Sequence, residues 1–271
     1  MPGSTATFAA NLMSDPFFTP DWHPQDHAPM PEVVFRGRKP AVRACGACHR
    51  AEGTGAPENA SLAGLPAEYI VQQMADFKRG ARQSAGPSRA TVRNMIAGAK
   101  AVSEEDIQAA AHYFSALKAK RLIRVLETAE IPRVLIAGMA FARDPAGGRE
   151  PLGHRLIELA DDPQRVDNND SRATFTAYAP PGSIARGEAL TSTGGQGRTV
   201  PCAACHGERL RGQAAIPGIA GRSPSYLARQ LYDFKRGTRA GPLAALMAPT
   251  VAHLNDDDVI ALVAYVASLA P

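Results

Sequence analysis

Two five-residue stretches constrain this chain more than anything else in it: Cys45-Gly46-Ala47-Cys48-His49 and Cys202-Ala203-Ala204-Cys205-His206. C-x-x-C-H is the spacing that attaches a c-type haem. Two cysteines so spaced lie one helical turn apart, so both sulfurs reach the vinyl groups of one porphyrin. The adjacent histidine then turns its ring beneath the iron. The chain has four cysteines, and these motifs use all of them. A four-thiolate zinc site normally keeps its two pairs much closer in sequence than this. A thioredoxin-like redox pair needs a strand-to-helix context that neither copy shows. Plain disulfides would leave the histidine after each pair without a reason.

A length of 271 residues predicts about two domains. Aromatic residues make up only 6% of the chain, and two bound porphyrins would supply core volume that such a composition lacks. The net charge of +4 is too small and scattered for nucleic acid and instead suits acidic docking partners. No run of eighteen apolar residues exists, so no membrane span is expected. The first residues, Met1 to Thr5, show no charged segment followed by an apolar one. Bacterial thioether attachment takes place outside the cytoplasmic membrane, so the expectation is a periplasmic protein whose signal peptide has been removed.

The chain divides into four stretches. Residues 1–32 carry prolines at 16, 20, 24, 29 and 31 and read as an extended arm. Trp22, Phe17 and Phe18 could anchor this arm, and His23 and His27 read as solvated. Residues 33–120 form a first haem domain. In it a helix is expected from Pro66 to Gly80, and a second is expected after the cap Ser103, with Ile107, Ala110, Phe114 and Leu117 on one face. Residues 182–271 repeat this plan. Tyr226 to Gly237 echoes Tyr69 to Gly80 at a separation of 157 residues, which is also the separation between Cys45 and Cys202. Asn255 caps the last helix, whose first turn is Asp256, Asp257 and Asp258. Residues 121–181 have no counterpart in either half. Ile123–Ile131, His154–Leu159 and Thr174–Tyr178 in this connector read as short strands between turns.

The repeat also locates candidate ligands for the open face of each iron. The terminal helices align at a separation of 152, which pairs Asn255 with Ser103 and Met247 with Met95. Each methionine is expected on a loop after the middle helix, where it could lay a thioether over the porphyrin. A single methionine is ordinarily apolar filler; Met74, Met13, Met30 and Met139, with no methionine opposite them in the repeat, are read that way. Arg79 to Met95 is 16 positions and Arg236 to Met247 only 11, so Met95 has the longer segment to reach across. His112, His154 and His253 are the rival ligands, and His253 is the closest of them to the Met247 loop.

Each half therefore resembles a class I cytochrome c, and the duplication is similar to dihaem cytochromes of the c4 type. The resemblance rests on C-x-x-C-H, the Tyr…Gln…Asp-Phe-Lys-Arg-Gly helix, the methionine segment and the acid-capped terminal helix, over roughly 33–118 and 183–269. It implies a mainly α protein of two tandem haem domains joined by a partly β connector. Its cofactors would be two covalently attached haem c groups, held by Cys45, Cys48, Cys202 and Cys205 and ligated by His49, Met95, His206 and Met247. It would carry single electrons between redox protein partners such as a dehydrogenase, an oxidase or a membrane complex, with no catalytic residues of its own. A dihaem enzyme of peroxidase or thiosulfate-oxidising type, with one open iron, is the alternative. The family also implies a carbonyl at a proline that orients the ligand histidine. Pro217 fits that place in the second half and Ala60 stands there in the first.

Overall fold

The structure, a computed structural model, describes residues 1–86 and 89–271. Its chain gathers into two units, Met1–Lys120 with Asp162–Ala173, and Arg121–Asp161 with Thr174–Pro271. The connector is thus no body of its own: its middle stretch, residues 162–173, packs into the first unit and its flanks into the second.

The first unit holds α1 (Glu32–Phe35), α2 (Cys45–His49), α3 (Ala67–Lys78), α4 (Ala90–Ala101), α5 (Glu104–Ala116) and, from the connector, α6 (Pro163–Asp167). Ser103 caps α5 by accepting the Asp106 N–H at 3.1 Å, one of the four donors a helix start leaves unmet. Ile107, Ala110, Ala111 and Phe114 of α5 bury against Ile70 of α3, Val33 and Val34 of α1, Val42 and Leu65. The arm forms only two single turns of tight helix, Ala10–Ser14 and Pro24–Asp26, as its prolines dictate.

The arm histidines differ from expectation. His23 is fully buried, with Nε2 3.0 Å from Asp170 Oδ1, and His27 lies 3.1 Å from Asp21 and 3.0 Å from the Tyr113 hydroxyl. His23 is packed because residues 162–173 cover the arm, and His27 because the arm lies against Tyr113 of α5. Trp22 Nε1 donates to the Asn168 carbonyl at 2.8 Å, Arg172 grips Asp26 through both carboxylate oxygens, and Arg165 pairs with Asp170. A partner about 147 positions away leaves no trace in local sequence pattern.

The second unit opens with seven strands: β1 (Ile123–Glu127), β2 (Glu130–Pro132), β3 (Val134–Ala137), β4 (Ala140–Arg143), β5 (Arg149–Pro151), β6 (Ile157–Ala160) and β7 (Phe175–Ala179). β7 is the centre of a three-stranded sheet, parallel to β1 and antiparallel to β6. β2–β5 and β3–β4 are separate antiparallel pairs. The helices follow: α7 (Ser183–Thr193), α8 (Ala203–His206), α9 (Pro224–Lys235), α10 (Ala244–Val251) and α11 (Asp256–Ser268). Asn255 and Asp258 form a reciprocal capping box at the start of α11. Gly187 of α7 must be glycine, because a Cβ there would fall 2.1 Å from the Ala261 carbonyl oxygen of α11. That close approach buries Leu190 against Val259, Leu262 and Val263. The protein is mainly α, with tandem helical halves and short connector strands.

Candidate metal centres

Each C-x-x-C-H folds as a single helical turn, α2 in the first half and α8 in the second. A turn places the first cysteine and the histidine four residues apart on one side. All four thiols are free. Burial pushes the Cys45 thiol up to about 12 and raises Cys48 and Cys202 as well. A redox-exchanging pair needs the opposite, a thiolate stabilised by positive surroundings. Cys45 packs with Tyr69, Val71 and Met74 against the first core, and Cys202 with Leu227 against the second. Among the described residues no three Cys, His, Asp or Glu side chains gather as a metal cage.

The histidines are held alike. His49 Nδ1 lies 2.8 Å from the Ala60 carbonyl and His206 Nδ1 2.9 Å from the Pro217 carbonyl. A carbonyl can only accept, so Nδ1 carries the proton and the lone pair is on Nε2. The loop that delivers each carbonyl is built the same way: Gly55 N–H bonds the His49 carbonyl at 3.1 Å, and Gly212 N–H that of His206 at 2.7 Å. Proline is therefore not required at this place; the backbone of Ala60 does the same work. Burial lowers the basicity of both imidazoles. The carbonyl bond opposes this, and the charge of Arg82 beside His49, or Arg239 beside His206, adds to it. A neutral, oriented imidazole with a free lone pair, next to two cysteines that are half-buried in the first motif and half-buried (Cys202) and exposed (Cys205) in the second, fits a thioether-linked haem.

The methionines stand on helices rather than loops. Met95 lies inside α4 and Met247 inside α10. Neither helix has a side-chain cap, at Arg89 or Leu243, and α10 contains Pro249, so the sequence signals that mark helix starts are missing at both. Met247 packs on the second core, and its sulfur lies 3.8 Å from the Thr250 hydroxyl. Met95 is half-buried; the stretch leading to it includes Pro87 and Ser88, outside the described residues. The rivals His112, His154 and His253 are all exposed, and His154 is 3.1 Å from Asp257.

Sequence reading caught the glutamine, aspartate and phenylalanine of the echoed helices but missed the arginine that joins each set at the same separation of 157. Gln73, Asp76, Phe77 and Arg82 reappear as Gln230, Asp233, Phe234 and Arg239, all but Gln230 and Phe234 buried. The signal was present, since each middle helix is followed by an arginine two positions beyond its glycine.

Comparison with known proteins agrees with this geometry. The family model for cytochrome c matches twice, at residues 34–118 and 184–270. A thiosulfate dehydrogenase electron acceptor from Stutzerimonas stutzeri is 27% identical over 237 residues, 86% of this chain and 82% of that one. The crystal structure of reduced cytochrome c4 from Pseudomonas stutzeri superposes with a TM-score of 0.53 at 25% identity, over 83% of this chain and 93% of that one. A thiosulfate dehydrogenase, TsdBA from Marichromatium purpuratum, gives a TM-score of 0.57 at 26% identity over 86% of this chain. The match spans only 38% of that longer chain.

Proposed function

The chain belongs to the cytochrome c family, and from that membership we propose that it is a periplasmic dihaem carrier taking single electrons from a dehydrogenase. Its two halves are electron-transfer cytochrome domains, and such domains hold haem c covalently. The haem supplies one-electron iron chemistry; the protein supplies attachment, ligands and electrostatics. In this reading Cys45 and Cys48 hold one haem, and Cys202 and Cys205 the other. His49 and His206 bind iron through Nε2, each ring fixed by its Nδ1 bond to a backbone carbonyl. Met95 and Met247 would supply the second protein ligand to each iron, a thioether that raises the potential. With both ligands so supplied, neither iron would be left open to substrate, and the protein would carry electrons rather than transform a molecule.

The observation that carries this reading is the pair of matched histidines, each with Nδ1 committed and Nε2 free. The similarity to an electron acceptor of thiosulfate dehydrogenase supports a sulfur-compound dehydrogenase as donor. Periplasmic placement follows from where haem c is attached, and among the described residues no helix is long and apolar enough to cross a membrane. The test is to mix the oxidised holoprotein with a thiosulfate dehydrogenase and its substrate and follow haem reduction. Uptake of two electrons per chain at rates that saturate with protein concentration is expected. Absence of reduction by the enzyme, with full reduction by dithionite, would contradict the proposed donor.

A further inference from the structure

We propose that the N-terminal arm is a latch over the first haem motif, pinned by His27 and loosened as pH rises. The arm meets the motif region through its backbone. Ala44 N–H, just before Cys45, donates to the Pro16 carbonyl at 2.9 Å, and Thr19 N–H donates to the Phe35 carbonyl at 2.9 Å. The chain that follows Thr19 is closed into a loop by His27, whose Nε2 lies 3.1 Å from Asp21 Oδ1. The His27 side chain is only 2% exposed, and its ring stands edge-on to Tyr113 of α5.

Every polar group that meets this ring is an acceptor. Nε2 faces the Asp21 carboxylate, and Nδ1 faces the Ala28 carbonyl at 2.8 Å. Neither partner can donate, so both nitrogens must carry protons, and the ring satisfies both only as the imidazolium. The Tyr113 hydroxyl, 3.0 Å from Nδ1, gives its own proton to the buried Ala51 carbonyl at 2.7 Å and so offers the ring a lone pair. The remaining charges do not oppose the cation. Glu52, on the segment after the motif, adds to its attraction; Lys120 is paired with Glu52 and Asp26, and Arg172 with Asp26. The Asp21 bond foremost, then the Ala28 carbonyl and the charges of Asp21 and Glu52, raise His27 above the ordinary 6.5 against the pull of burial. His23 differs. Its Nε2 meets Asp170 while its Nδ1 has no hydrogen-bond partner, so a single proton satisfies it.

When His27 loses its proton, one nitrogen turns a lone pair on an acceptor. Tyr113 can answer by swinging its hydroxyl to Nδ1, but the buried Ala51 carbonyl then goes unmet. Because the folded value lies above the unfolded one, this stabilisation is complete below 6.5 and is lost as pH rises through the folded value. Histidine is the side chain suited to such a change near neutrality.

The test uses the reduced, diamagnetic holoprotein. The His27 ring is titrated by NMR, and protection of the Ala44 and Thr19 amides against hydrogen exchange is followed over the same range, corrected for the intrinsic rate. Local opening reads out directly as a fold-change in protection. His27 should titrate above 6.5, and both protection factors should fall about tenfold across its titration. Asp21→Asn, which keeps the shape at Nε2 and removes the charge, should move the titration and the loss of protection together to lower pH. In His27→Gln, protection should be low and flat with pH. Titration of wild-type His27 at or below 6.5 would overturn the proposal, as would protection that stays constant through it. So would a fall with pH that persists in His27→Gln, or protection there as high as in the wild type, since the ring would then not be the pin.

Discussion

The first haem motif is covered and the second is open. Gly46, between the cysteines of the first, is buried under Thr19 of the arm; a Cβ there would fall 2.4 Å from Thr19 Cγ2. Thr19 is itself locked by its hydroxyl donating to the Val34 carbonyl at 2.7 Å. At the matching place in the second motif stands Ala203, exposed. After the histidine, the second copy has Gly207 at φ 77° and the first has Arg50 at φ 65°, fully buried. A non-glycine residue in the left-handed region costs about 1–2 kcal/mol. The first half tolerates that cost because surrounding structure fixes Arg50, with Asp170 and Glu58 as its nearby opposite charges. The parts that hold a haem repeat, and the parts that decide what may approach it do not.

The largest test of that contrast removes the clamp on the arm. Asp170 is wholly buried, accepts from the Arg172 N–H and pairs with His23 and Arg165. Asp170→Ala leaves those partners uncompensated, at a cost of about 3–5 kcal/mol. Hydrogen exchange should show protection falling in residues 1–120 while 174–271 stay near wild type. Equal loss in both would mean the units do not open independently.

A smaller change sharpens the comparison at the motifs themselves. Gly46→Ala must push Thr19 aside, so it should cost about 1–3 kcal/mol. Ala203→Gly loses only helix propensity, under about 1 kcal/mol. Urea unfolding of the two holoproteins measures the difference, and matching costs would show that the arm does not press on the first motif.

The smallest effect is electrostatic. Asp106 and Asp258 occupy the same position in the first turns of α5 and α11. The Arg38 fork holds Asp106 below the ordinary carboxyl value of 3.8, against the pull of burial. For Asp258 burial is the largest influence and pulls upward, but the Arg186 bond at 2.5 Å, the Asn255 N–H and Arg198 outweigh it. Both folded values are depressed, so each carboxylate stabilises the fold above 3.8 and loses that contribution as pH falls through its folded value. Asp106→Asn, whose partner Arg38 is half-exposed, should flatten the acid limb of stability by less than about 1 kcal/mol. Asp258→Asn, with its side chain sealed from solvent, should flatten it more. The reverse order, read from acid unfolding curves, would mean burial of the second cap carries no electrostatic weight.

How much of this was legible in sequence follows the range of the interactions involved. The motif turns, the capped helices α5 and α11, the middle helices α3 and α9 and the strands β1, β6 and β7 all carry local signals, and the repeat amplified them. Ala60 was readable as the carbonyl that accepts from the His49 ring only through its register with Pro217. The clamp of residues 162–173 on the arm was not readable, since Asp170 and His23 meet across most of the chain. The helices bearing Met95 and Met247 escaped because neither begins with a capping side chain. The contrast of Gly46 with Ala203 was visible all along: a glycine where its repeat has alanine marks a close approach, here by Thr19.

In the proposed reading, methionine on both irons would make the protein a carrier at both sites, and one spectrum addresses it. Methionine sulfur on ferric haem gives a weak far-red band, to be measured in the oxidised holoprotein and scaled to total haem. Intensity for two such haems is predicted, with Met95→Leu and Met247→Leu each removing half. Intensity for one haem, unaltered by Met95→Leu, would contradict the closed first site and point to an iron open to substrate.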